Sequence, residues 1–163
     1  MYSRRILLVE DDPNDYELLF QAMERTGLAY QIDLASSISE ALDKLFRLDN
    51  HHLRHRHSLP ALILVDINMS GLCGLQLLRM LHNIHDPHGA PLPPIVIFSA
   101  SDTPLDIREA YRLGVCSFVR KPLHTGRFLE VVQQIMLYWL TINEAPSEPH
   151  SDPLFHLVSQ AEE

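Results

Sequence analysis

Cysteine is nearly absent from this chain of 163 residues: only Cys73 and Cys116 occur, far apart and outside any CxxC or zinc-ligand spacing. That excludes a disulfide scaffold or a cysteine-based zinc module and predicts reduced thiols in a cytoplasmic protein. Basic residues are in deficit as well, 13 Lys and Arg against 21 Asp and Glu, for a formal charge of −8. Duplex nucleic acid, which demands a basic face, is therefore not an expected partner. Long apolar runs are also missing. Arg4 and Arg5 precede Ile6-Leu7-Leu8-Val9, but acids end that run too early for a signal-peptide core, and no other stretch is long enough to span a membrane.

The way that run ends is informative. Glu10-Asp11-Asp12 follows Val9 directly, and a second run, Leu62-Ile63-Leu64-Val65, ends in Asp66 in the same manner. In a parallel α/β sheet the strand C-termini open on one edge, so carboxylates at two strand exits converge although the sequence separates them. Clustered carboxylates repel unless a cation neutralises them, and Mg²⁺, which keeps several waters, needs only one or two from the protein. Ser99 ends another apolar run, Ile95-Val96-Ile97-Phe98, and Lys121-Pro122 follows Ser117 to Arg120. An exposed aspartate, a metal, a hydroxyl and an ammonium are what phosphoryl transfer to a carboxylate requires, because that reaction is mostly positioning and charge neutralisation. Each residue alone has a plain explanation as a cap, a turn residue or a surface corner. Their joint occurrence at four strand ends does not.

Strand-like runs alternate with helical patterns five times, predicting an α/β fold with a doubly wound, five-stranded parallel sheet. The strands are expected near Arg5 to Val9, Gln31 to Ala35, a run ending at Asp66, Ile95 to Phe98, and Ser117 to Arg120. Asp12 before Pro13 caps the first helix, and Gly27 ends it. Ser37 with Glu40 forms a capping box for the second. The third runs from about Gly74 to Asn83; Thr103-Pro104 opens the fourth, which Gly114 closes. The last, about Thr125 to Leu140, carries Phe128, Val131, Val132, Ile135, Met136 and Trp139 on one face, broadened by Leu129, Leu137 and Leu140. Such breadth calls for a tail or a partner. From Glu144 to Pro153 the chain turns proline-rich and acidic, then offers Leu154, Phe155, Leu157 and Val158.

With these residues in family order and spacing, from about Arg4 to Leu140, the chain resembles the receiver domain of two-component response regulators. The motifs are Glu10 and Asp11, the stretch from Val65 to Gly74 around Asp66, the pair Ser99-Ala100, and Lys121-Pro122. The resemblance implies that Asp66 is the phosphoacceptor, that Asp11 and Asp66 supply carboxylate oxygens to Mg²⁺, and that Asn68 adds its backbone carbonyl while Glu10 acts through water. It implies that Ser99 and Lys121 bind the phosphoryl oxygens, that Ser99 and Phe118 form the switch, and that the Lys121–Pro122 peptide is cis. Ser70 replaces the family's usual proline, and Glu10 stands for an aspartate. The receiver domain is expected over residues 1–142, with 143–163 as an arm and no output domain. A histidine kinase is the implied partner, with signalling by protein contact. The stretch from Val131 to Pro146, and long connections at Asp49 to Leu59 and Ile84 to Pro94, are similar to small response regulators of cyanobacterial and bacterial phytochrome kinases.

Two other readings bear on function. A phosphohydrolase with an aspartate nucleophile needs the same groups but places the nucleophile on the first strand as D-x-D, whereas here that strand ends in E-D-D. A receiver-like adaptor that works without phosphorylation is the other. A homodimer is expected through the fourth helix, fifth strand and fifth helix, with Tyr111, Leu137, Tyr138 and Leu140 as contacts. His51, His52, His55 and His57 suggest a transition-metal site, but with only Asp49 to join them a solvated loop is the simpler reading; His82, His85 and His88 are read the same way.

Overall fold

The computed structural model describes residues 4–46, 60–69, 74–83 and 92–144. Strands β1 (Arg4–Val9), β2 (Tyr30–Ala35), β3 (Leu62–Val65), β4 (Ile95–Ser99) and β5 (Ser117–Arg120) alternate with helices α1 (Pro13–Glu24), α2 (Ile38–Phe46), α3 (Gly74–Asn83), α4 (Pro104–Arg112) and α5 (Thr125–Leu137). The sheet is wholly parallel, in the order β2-β1-β3-β4-β5. The expected fold is what forms.

Period-two alternation sorts the strand residues into two cores. Leu7, Val9, Ile63, Val65 and Ile97 pack with α2, α3 and α4. Ile6, Leu8, Leu62, Leu64, Val96 and Phe98 pack with α1 and α5. Both faces of β1, β3 and β4 are thus covered, which is why these strands read as unbroken apolar runs. The edge strands β2 and β5 are only half-buried and read weakly. The chain leaves β1 for β2 on one side, then for β3, β4 and β5 on the other. The sheet therefore reverses between β1 and β3, and a crevice at the strand C-termini is a natural ligand site there.

Local signals place the helices. Asp12 accepts from the Asn14 N–H at 2.8 Å and Pro13 fills the first helical position. Ser37 Oγ accepts from the Glu40 N–H, while Glu40 reaches one residue beyond the expected box and accepts from the Ser36 N–H. Gly27 and Gly114, at φ 66° and 92°, take the left-handed conformation that turns the chain after α1 and α4.

Several expectations are corrected. The last helix does not run to Leu140: α5 stops at Leu137 and a π-helical turn, Tyr138–Ile142, follows. There the Asn143 N–H donates five residues back to Tyr138 O at 2.7 Å, and Thr141 Oγ1 turns back onto Leu137 O, a bond that competes with regular helix. Leu140, expected at an interface, is 5% exposed and belongs to the core, because it continues the Val132–Met136 stripe at a spacing of four. Lys121–Pro122 is trans, as are all peptides among the described residues; an X–Pro bond prefers trans by about 0.5–1 kcal/mol when nothing forces the alternative. Cys73, Ser70, the histidines from 51 to 57, His85, His88 and the arm beyond residue 144 lie outside the described residues.

Candidate functional site

The strand exits deliver the predicted residues to one crevice. The β1 ladder continues into Glu10, whose N–H donates to Ala35 O at 3.0 Å, and the residue is 3% exposed. Asp66 leaves β3 tied to β1 by its own N–H, which reaches Val9 O at 3.0 Å. Ser99, fully buried, closes β4, and Lys121 follows β5 with its N–H on Ser99 O at 2.8 Å. Gly74 lets α3 start against this edge: a Cβ there would lie 2.4 Å from Asp66 O and 2.8 Å from Ile67 Cα. Only glycine fits so close an approach.

Side-chain geometry completes the cluster. Asp66 Oδ1 accepts from Ser99 Oγ at 2.6 Å and from the Asn68 N–H at 2.8 Å; Oδ2 accepts from Lys121 Nζ at 2.6 Å. Lys121 Nζ also donates to Glu10 Oε2 at 2.8 Å and to Asp15 Oδ2 at 2.6 Å. Glu10 Oε1 takes the Asp12 N–H at 3.0 Å, bracing the turn into α1. Burial works against the Lys121 ammonium, but its hydrogen bonds to Asp15, Asp66 and Glu10 outweigh burial and hold its pKa above the ordinary lysine value. Burial pushes Glu10 above the usual carboxylate value in spite of Lys121. Three carboxylates against one ammonium leave a surplus of negative charge, and oxygen ligands from Glu10, Asp15 and Asp66 all lie within 4.8 Å of one another. Such a set suits a hard divalent cation.

Asp11, expected as a direct ligand, is half-buried at the same strand exit but is not among the three that converge; Glu10, expected to act through water, is. Asp15 was missed altogether. Its signal is its place in the first turn of α1, just after the acid triplet. Acidic residues there ordinarily read as helix-dipole partners.

The surroundings connect this edge to a surface. Phe118 is partly buried against the core below β4, and its N–H donates to Tyr111 Oη of α4 at 3.2 Å. Arg120 pairs with Asp102 in the β4–α4 loop, and Ser101 Oγ donates to Asp106 Oδ2 at 2.6 Å. Beside the carboxylates opens a cleft of about 230 Å³, polar at Asp15 and Lys121 and apolar at Leu18, Pro122, Leu123 and Phe128.

The family model of the response regulator receiver domain matches residues 6–133. The chain belongs to that family. The receiver domain is 32% identical over 141 residues to the probable methanogenesis regulatory protein FilR2 of Methanothrix harundinacea, 86% of each chain. Among solved structures it superposes on the phosphorylated cyanobacterial phytochrome response regulator RcpA with a TM-score of 0.73 at 25% identity, covering 90% of this chain and all of that one. The bacteriophytochrome response regulator AtBRR matches at 32% identity and a TM-score of 0.59, over 88% of this chain and all of that one. As a receiver domain, the chain is a signalling module of the two-component type. No helix among the described residues is long and apolar enough to cross a membrane.

Proposed function

We propose that this receiver domain accepts a phosphoryl group on Asp66 from a histidine kinase and passes the signal on by protein contact. The observation that carries this reading is the buried Asp66 carboxylate, held between Ser99 Oγ and Lys121 Nζ at 2.6 Å each. A carboxylate oxygen bonds to phosphorus as the phosphorus–nitrogen bond of the donor phosphohistidine breaks, and the electron pair stays on the imidazole. Ser99 and Lys121, which already hold the carboxylate, then turn to the phosphoryl oxygens. Glu10, Asp15 and Asp66, with Asp11 and the Asn68 carbonyl at the same exit, are the residues that would hold Mg²⁺, which would neutralise charge on the phosphoryl group. Self-phosphorylation from a small donor and self-dephosphorylation are the only chemistry this assigns to the chain.

Withdrawal of the Ser99 hydroxyl from Asp66 alters the β4–α4 loop, and Phe118 with Tyr111 carries the change to the α4–β5–α5 face. Tyr111, Leu137 and Tyr138 are 51%, 42% and 48% exposed there, and we assign them to a homodimer contact. Residues 1–142 form the receiver unit and 143–163 its arm, working in the cytoplasm. The likeness to RcpA and AtBRR favours a kinase of the phytochrome type. The test is transfer from an autophosphorylated, radiolabelled histidine kinase with Mg²⁺: label should leave the kinase and appear on this chain, faster from a phytochrome kinase than from others. Label that stays on every kinase tried contradicts the assignment.

A further inference from the structure

Asp15 differs from the other charged groups of the site because it comes from a helix and not from a strand exit. Its contact with Lys121 Nζ, 2.6 Å, equals that of Asp66. An ammonium has three donors, and here each has its own carboxylate, on Glu10, Asp15 and Asp66. The lysine stem is flexible and loses rotamer freedom when fixed, so its position depends on these partners. One of the three, Asp66, becomes an acyl phosphate in the chemistry proposed above; Glu10 and Asp15 stay carboxylates, with Asp15 at the shorter distance, 2.6 Å against 2.8 Å. Asp15 lines the cleft with 31% of its side chain exposed and remains a carboxylate partner for the ammonium once Asp66 is acylated.

We propose that Asp15 is a positioning residue for Lys121, holding the ammonium at the mouth of the site while Asp66 changes from carboxylate to acyl phosphate. The claim rests on the reading of Asp66 as acceptor, and it has a distinctive sign. Removing a negative charge beside an anion site strengthens anion binding by Coulomb attraction alone. Loss of a positioning group weakens it.

The experiment measures binding of beryllofluoride, a phosphoryl mimic, in the presence of Mg²⁺. Asp15→Asn should weaken binding roughly tenfold, the size expected for one charge-assisted hydrogen bond, and Asp15→Glu should recover part of the loss. In a Lys121→Ala background Asp15→Asn should cost nothing further, since the two act as one unit. Tighter binding in Asp15→Asn, or an equal loss in both backgrounds, overturns the proposal in favour of simple electrostatics or an independent role in metal binding or helix stability. The Lys121 ammonium protons provide a readout without any phosphoryl mimic: their NMR signal should be visible through slow exchange in the wild type, lost in Asp15→Asn and regained in Asp15→Glu. A signal unchanged in Asp15→Asn also overturns the proposal. If the wild type binds no beryllofluoride, the acceptor reading of Asp66 fails, while the ammonium spectrum still decides the role of Asp15.

Discussion

The Ser99 hydroxyl donates to Asp66 Oδ1 across 2.6 Å, with Ser99 fully buried and Asp66 7% exposed. On the proposed reading Ser99 is tied to the acceptor before any phosphoryl group arrives, and it leaves that bond to reach the phosphoryl oxygens. Ser99→Ala should remove the tie while Asn68 and Lys121 still hold Asp66, at a stability cost of about 1 kcal/mol. Phosphorylation should persist, but the amide shifts it produces in α4 and β5 should shrink. Full-size shifts in the mutant would place the coupling elsewhere.

Gly74→Ala tests how closely α3 must approach the site. The new methyl would sit 2.4 Å from Asp66 O, so the backbone carrying Asp66 has to move. Urea unfolding should show a loss of about 1–3 kcal/mol, the usual range for overpacking, together with slower labelling. Unchanged stability and labelling would mean the α3 start is not a constraint on Asp66.

Acid should loosen α4. Glu109 accepts from Arg112 at 2.8 Å and from Arg79 of α3 at 3.4 Å, and the Arg112 hydrogen bond leads in lowering its pKa from 4.5 to about 2. A carboxyl with a depressed pKa stabilises the fold above its unfolded value and loses that contribution as pH falls through the folded one. The melting temperature of Glu109→Gln should lie below that of the wild type at neutral pH, and the gap should close between pH 4.5 and 2. The pair is solvent-accessible, so the gap should be small and shrink with salt. A gap that persists at pH 2 would point to packing and not charge.

The dimer proposal loses Leu140 and keeps Leu137, Tyr138 and Tyr111. Sedimentation of the full chain beside one stopped at Ala145, with and without phosphorylation, should show dimers that weaken when the arm is removed. Monomers throughout at micromolar concentration would end the proposal.

The sheet and most of the site were legible because acids, a hydroxyl and an ammonium terminate apolar runs, and a parallel sheet gathers strand ends on one edge. The central strands β1, β3 and β4 announce themselves as unbroken apolar runs because both faces are covered. Asp15 stayed hidden because helix-dipole logic explains it equally well, and only the folded packing of α1 against α5, which follows Lys121 in the chain, brings it to the ammonium. Leu140 was misplaced when its breadth was counted without rotation: Val132, Met136 and Leu140 fall on one stripe of the helix. The π-helical turn after Leu137 rests on Thr141 bonding back to Leu137 O, a competition that apolar periodicity does not register.

The most direct test is intact mass after incubation with acetyl phosphate and Mg²⁺, for the wild type and Asp66→Asn. The amide preserves the shape of the carboxylate but cannot serve as the nucleophile, so the wild type should gain one phosphoryl group that disappears without Mg²⁺, and the folded mutant should gain none. Labelling of Asp66→Asn at the wild-type level would contradict the assignment of Asp66 as the acceptor.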